Sequence, residues 1–121
     1  MSLPRTTLTA PPAPTGPVAG TAEWDLVTDA VYWTAEVYPM LARDPRLGPL
    51  TLDQLPSRLV PQDRPALCRM VTEALVHGRP LEGVVRVDRT DRAATSVHCS
   101  GRPVLGADGQ VISLRLTLRA A

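Results

Sequence analysis

The chain has 121 residues, 44% hydrophobic, 21% charged and 3% aromatic, with 13 prolines, two cysteines and no phenylalanine, a length that holds one domain. Its thirteen basic residues are all arginine and face twelve acidic ones, for a formal charge of +1, which excludes a strongly basic nucleic-acid binder. No apolar run approaches the ~20 residues of a membrane span, and the N-terminus lacks the basic-then-apolar order of a secretion signal. The expectation is a cytoplasmic protein with free thiols and with neither nucleic acid nor membrane as partner.

Met1 to Ala19, with its Pro11-Pro12-Ala13-Pro14 run, has neither the strand nor the helix period and is read as a flexible leader, residues 1–19, ahead of one folded domain, residues 20–121. From Gly20, Ala22, Trp24 and Leu26 alternate with Glu23 and Asp25, the pattern of a half-buried strand. Thr28-Asp29 makes a turn, and Val31-Tyr32-Trp33 supplies the second arm of a hairpin. Thr34 is placed to cap a brief helix through Leu41 that Pro39 restricts. Arg43 to Pro49 reads as loop. Thr51 and Gln54 have capping-box spacing, so one helical turn with Leu52 and Leu55 inward is expected before Pro56 interferes.

The strongest periodicity lies between Asp63 and Gly78. Asp63 is the expected cap, Pro65 stands in the first turn, and Leu67, Met70, Val71, Ala74 and Leu75 recur at helical spacing until Gly78 and Pro80 end the run. Three strand-like stretches follow: Leu81 to Arg89, Ala94 to Val104 and Gln110 to Arg119. In the last, Ile112, Leu114, Leu116 and Leu118 oppose Ser113, Arg115, Thr117 and Arg119. Asp108-Gly109 is the pair that a type I′ hairpin demands. Two strands, small helices, one long helix and three strands make an α+β arrangement: a five-stranded antiparallel sheet with helices packed on one face.

Particular residues carry a resemblance. Gly20 with Trp24-Asp25-Leu26, Val31-Tyr32-Trp33-Thr34, Tyr38 with Leu41, Val60-Pro61-Gln62-Asp63-Arg64, Val84-Val85-Arg86-Val87 and Gly109 follow one another as six phrases. In that order they resemble a PAS domain of the subgroup whose first strand carries Trp-x-Asp-Leu, over Gly20 to about Arg119. The chain departs from the pattern at Arg92 and Ser96, and it ends in Thr117-Leu118-Arg119 without the Asp-Ile-Thr exit phrase. The resemblance implies a PAS-like fold and a non-enzymatic sensor or dimerisation module of a bacterial signal-transduction protein. It also implies attachment to an output domain in a longer chain and a weak homodimer through the sheet face. A small α+β enzyme or ligand carrier with an internal pocket is the competing class.

The candidate chemistry is sparse. On a strand His98 and Cys99 point to opposite faces and cannot share an ion; parity with Val97 buries Cys99 and exposes His98. Cys68, beside Leu67 at the edge of the helical stripe, reads as packing. His77, in the last helical turn, reads as a complement to the helix's negative end. Haem-binding relatives of the resembled family use a histidine on this helix, which makes His77 the one candidate axial ligand, in a place poorly suited to a cavity. Flavin is disfavoured because the Asn-Cys-Arg-Phe phrase of the photoreactive subgroup is missing. No metal-ligand pattern and no catalytic motif is present. Trp33, Leu55, Leu59, Leu67, Met70, Val71, Val85, Val97 and Cys99 are the pocket candidates between helices and sheet. Apolar residues at core spacing favour a filled interior, and a small apolar ligand there stays open as the alternative.

Overall fold

A computed structural model of the chain describes residues 19–121. Strand β1 is Ala19–Asp25, β2 Val31–Trp33, helix α1 Val37–Met40, helix α2 Arg64–His77, β3 Leu81–Val87, β4 Thr95–Leu105 and β5 Val111–Ala120; short 3-10 turns lie at Pro45–Leu47, Leu55–Arg58 and Pro61–Asp63. β1 takes in Ala19, so the sheet begins one residue earlier than expected, and the rest of the expected leader lies outside the described residues.

The strands form one antiparallel sheet in the order β2-β1-β5-β4-β3. Register fixes its two faces. Trp33, Ala22, Leu116, Gly101 and Leu81 stand in one row across all five strands, and this row turns inward, because Ala22, Leu116 and Leu81 are buried. The next inward row is Gly20, Leu118, Cys99 and Gly83. α2 lies over this face, packed against β3, β4 and β5. Leu67 and Ala74 are fully buried beneath it, with Met70, Val71 and Leu75 half-buried alongside. Each buried leucine contributes roughly 1.5–3 kcal/mol relative to exposure, so this stripe and its sheet partners hold the two layers together.

Glycines let the layers approach. A Cβ on Gly20 would lie 2.8 Å from Val37 Cγ2 and 3.1 Å from the Val37 backbone nitrogen; one on Gly83 would lie 3.2 Å from Met70 Sδ. Gly78 ends α2 in the left-handed region (φ 66°), its N–H donating to the Ala74 carbonyl at 3.0 Å, as the sequence led one to expect.

Several local expectations are corrected. Thr34 does not cap α1: its hydroxyl oxygen accepts from the Thr21 N–H at 2.9 Å, so it serves the hairpin, and Glu36 precedes the helix without a side-chain cap. Asp63 does not cap α2 either; its carboxylate reaches across to Arg86 on β3. Pro56 does not interrupt the turn near Leu55 but stands inside it as its second residue, where a missing N–H costs nothing. One arm of the expected capping box does form, the Thr51 N–H donating to Gln54 Oε1 at 3.1 Å. The expected loop 43–49 contains a 3-10 turn capped by Asp44, which accepts from the Arg46 N–H at 2.9 Å. Leu26 leaves the strand for a turn organised by Asp25 Oδ1, which accepts from the N–H groups of Val27 and Thr28 at 2.9 and 3.0 Å. The β4–β5 connection is not type I′, because Gly109 has φ 83° while Asp108 stays outside the left-handed region. The Gly109 N–H donates to the Gly106 carbonyl at 3.0 Å, so Ala107 and Asp108 form the turn and Gly109 follows it as the left-handed residue of a longer hairpin loop.

Candidate functional site

The nine pocket candidates meet in one cluster between α2 and the sheet. Leu55, Leu59, Leu67, Val85, Val97 and Cys99 are fully buried, and Trp33, Met70 and Val71 pack half-buried against them. Trp33 stands opposite Ala22 on the edge strand β2, and its ring meets Tyr38 edge-on, with centroids 5.0 Å apart. Its indole Nε1 is buried and has no hydrogen-bond partner among the described residues, a state that costs about 1–3 kcal/mol unless something accepts from it. Trp24, by contrast, donates from Nε1 to the Leu50 carbonyl at 2.9 Å. Of the nine candidates, Met70 alone lines one of the four principal clefts, all of which open at the surface.

The cysteines separate as chemistry. Cys99 is buried on the inner face, and burial pushes its thiol up to about 12, so it stays protonated and inert. Cys68 is exposed, which corrects its reading as packing. His98 lies on the outer face between Glu82, 3.1 Å from Nε2, and the Arg119 guanidinium, 3.4 Å from Nδ1. His77 is exposed in the last turn of α2 and lines an outward cleft with Leu105, Gly109 and Gln110 rather than the interior.

The outer face is polar. Tyr32, Glu23, Arg115 and Arg102 form one of its rows. Glu23 bridges Arg115 at 3.3 Å and accepts from the Ser113 hydroxyl at 3.2 Å. At one end Asp63 takes both the side chain and the N–H of Arg86, at 2.8–3.0 Å, and these bonds hold its carboxyl below the ordinary value.

Sequence reasoning missed a set of arginines whose work is structural. Arg58 donates to the carbonyls of Leu41 and Ala42 at 3.1 and 3.0 Å, and Arg89 to the Met40 carbonyl at 3.3 Å and Thr95 Oγ1 at 3.1 Å. Arg43 holds the Gly48 and Leu47 carbonyls in the following loop. Arg58 and Arg89 together satisfy the carbonyl end of α1, which is too short to satisfy itself. Desolvation lowers the Arg89 guanidinium, with nearby Arg92 adding to the effect. Nothing in the spacing of these arginines signals the role.

Neither a family model nor a curated protein matches the chain. Solved structures do. A domain of a light and redox sensing histidine kinase from Haloarcula marismortui superposes with a TM-score of 0.75 at 14% identity, over 88% of this chain and 91% of that one. The N-terminal domain of a diguanylate cyclase with PAS/PAC sensor from Marinobacter aquaeolei gives 0.73 at 16%, over 85% and 94%. An RNA-binding light-oxygen-voltage receptor gives 0.70 at 17% over 84% of this chain, which spans 28% of that receptor. At such identities the likeness is one of architecture, and with the strand order, the single long helix and the inward rows it establishes that this chain has the PAS fold.

Proposed function

We propose that the domain is a non-enzymatic sensory module of a bacterial signal-transduction protein, governing an output domain in a longer chain. The observation that carries the reading is the sheet order β2-β1-β5-β4-β3 with α2 across its inner face, shared over most of the chain with sensor domains of a kinase and a cyclase. On this reading the interior takes a small, largely apolar molecule. Leu55, Leu59, Leu67, Val85 and Val97 offer only hydrocarbon, and Trp33 Nε1 is the donor without an acceptor, so the ligand class is an aliphatic amide, ester or similar molecule bearing one acceptor.

Haem and flavin fit these residues poorly. His77 faces outward, and Cys68, which with Arg69 is the nearest thing to the photoreactive phrase, is exposed. Among the described residues Ser113 is the one buried polar residue, and it bonds Glu23 on the outer face; a flavin's polar edge has no set of partners inside. The likeness to a light-oxygen-voltage receptor pulls the other way, and the visible spectrum decides between them.

A weak homodimer through the outer sheet face belongs to the same reading. Exposed Tyr32 and Val84 give that face some apolar area, while Arg102, Arg115, Arg119 and Glu82 keep it polar, the composition of a modest rather than an obligate interface.

The experiment is native mass spectrometry and absorbance of the purified protein, followed by thermal shift with a panel of aliphatic amides and esters. Stabilisation by the panel that is lost in Trp33→Phe supports the ligand reading. A Soret or flavin band, or a melting temperature that no member of the panel moves, overturns it.

A further inference from the structure

The sheet order leaves β3 at an edge, where a strand presents unpaired N–H and C=O groups. Half of that edge is covered. The Val60 N–H donates to the Arg86 carbonyl at 3.0 Å, the Asp88 N–H to the Arg58 carbonyl at 2.9 Å, and Leu59 stands opposite Val87. The Arg86 N–H is taken by Asp63 Oδ2 at 2.8 Å. Both backbone groups of Arg86 therefore face away from β4. In an antiparallel ladder that direction alternates residue by residue, and β3 runs in unbroken register with β4 from Leu81 opposite Gly101 to Val87 opposite Thr95. The N–H and C=O of Val84 and of Glu82 must then face outward as well. Among the described residues no turn, loop or side-chain bond takes any of these groups.

The flanks of the open stretch differ. On the helix side a cleft of about 370 Å³ lies between Arg69, Met70 and Glu73 of α2 and Pro80 and Glu82 of the edge. Gly83 faces that side beneath Met70, whose Sδ lies 3.2 Å from where its Cβ would stand. Glu73 is occupied by Arg79 at 2.7 Å, whereas Arg69 has no ion-pair partner among the described residues. On the outer side Val84 is exposed and Glu82 faces solvent.

We propose that the edge from Glu82 to Val84 accepts an extended peptide of a partner protein as an added antiparallel strand, with main-chain bonds giving affinity and the flanks giving selectivity. The peptide residue opposite Val84 lies against an exposed valine and is best β-branched. The next, opposite Gly83, turns toward α2, where Arg69 calls for a carboxylate. The third, opposite Glu82, is best basic. In the peptide's own direction the preferred order is β-branched, acidic, basic. A second copy of β3 turned about Gly83 sets Glu82 against valine and offers Arg69 nothing, so charge favours a heterologous peptide. Pro80 at one end and the Val60 segment at the other confine the contact to three residues, and the binding is correspondingly modest. The inference is independent of the interior ligand.

The test is an NMR titration of the full chain, isotope-labelled, with the capped peptide acetyl-Thr-Thr-Val-Asp-Arg-Thr-Thr-amide. In the free protein the Glu82 and Val84 amides exchange faster than those of Val85 and Val87; on addition they shift and become protected. Val84→Pro removes an N–H that points away from β4, so the edge tolerates it, and it weakens binding about tenfold, equivalent to about 1.4 kcal/mol. N-methylation of the peptide at the valine opposite Val84 removes the reciprocal bond from the ligand side and weakens binding similarly, whatever the proline does to folding. A peptide with Lys for Asp binds poorly and regains affinity on Arg69→Asp. No binding, shifts confined to the outer sheet face, or equal affinity for the methylated peptide overturns the proposal, as does self-association through Glu82–Val84 in the free protein.

Discussion

Two glycines in the same inner row, on strands separated by two others, allow a paired prediction with opposite outcomes. Gly20 and Gly83 lie in one cross-sheet row with Leu118 and Cys99 between them. At either site a methyl group restricts the unfolded chain, a gain of about 0.5–1 kcal/mol for alanine over glycine. What the methyl meets decides the sign. At Gly83 it meets the Met70 thioether, with Sδ at 3.2 Å and Cε at 3.5 Å, the end of a three-torsion side chain that moves aside cheaply. At Gly20 it meets Val37 Cγ2 at 2.8 Å, the Val37 nitrogen at 3.1 Å and Glu36 Cβ at 3.2 Å. These are parts of the α1 backbone and a branched side chain, whose carbonyl end Arg58 and Arg89 hold in turn. Overpacking of that kind costs about 1–3 kcal/mol. Set against the entropic gain, Gly20→Ala should lose about 1–2 kcal/mol and Gly83→Ala should lie between no change and about 1 kcal/mol of stabilisation. For a domain of this size each kcal/mol moves Tm by about 4–8 °C. Chemical denaturation and calorimetry read both, and a double-mutant cycle adding Val37→Ala should return part of the Gly20→Ala loss, because it removes Cγ2. A Gly20→Ala protein as stable as the parent, or a Gly83→Ala protein destabilised as far, would refute the idea that the nature of the neighbour, backbone or flexible tip, sets the cost.

Other predictions concern charge and reactivity. Asp63 is held low by Arg86, Asp44 by Arg46 and Asp25 by the N–H groups of Thr28 and Val27, all below 3.8. Such carboxylates stabilise the fold above their unfolded value and lose that contribution as pH falls through the lowered folded values, so Tm should drop steeply below about pH 4 and less steeply in Asp63→Asn. Cys99 shifts the other way, from 9.0 to about 12; the folded state keeps a proton that the unfolded state gives up, so its contribution fades as pH rises past the unfolded value. In the native protein at mildly alkaline pH a thiol reagent should label Cys68 at once and Cys99 only on unfolding, and equal rates would contradict the burial. Arg58→Met should keep the packing of the aliphatic stem but lose its bonds to the Leu41 and Ala42 carbonyls, lowering stability by about 1.5–3 kcal/mol in urea titration.

What the sequence makes legible is what repeats along it. Alternation in β5 and the three-and-four spacing of Leu67, Met70, Val71, Ala74 and Leu75 arise because burial acts on every turn or every second residue, so many positions report one fact, and both elements appear within a residue or two of their expected ends. Glycine punctuation is legible too, since the left-handed conformation at Gly78 and Gly109 excludes most other residues. Single polar side chains do not repeat, and their local preferences lose to distant partners. Asp63 has the ideal type and place for a helix cap, yet a guanidinium from a strand more than twenty residues later offers it two charge-assisted bonds where α2 offers a neutral N–H. Thr34 goes to Thr21 for a related reason: the hairpin brings an unpaired N–H to it before any helix starts. Trp33 follows the same logic from the opposite side. Its place in a strand is written in its neighbours, but nothing in them says that its buried indole N–H finds no acceptor among the described residues. Periodicity thus encodes which residues meet in the interior, whereas the pairing of a single donor is written in no period.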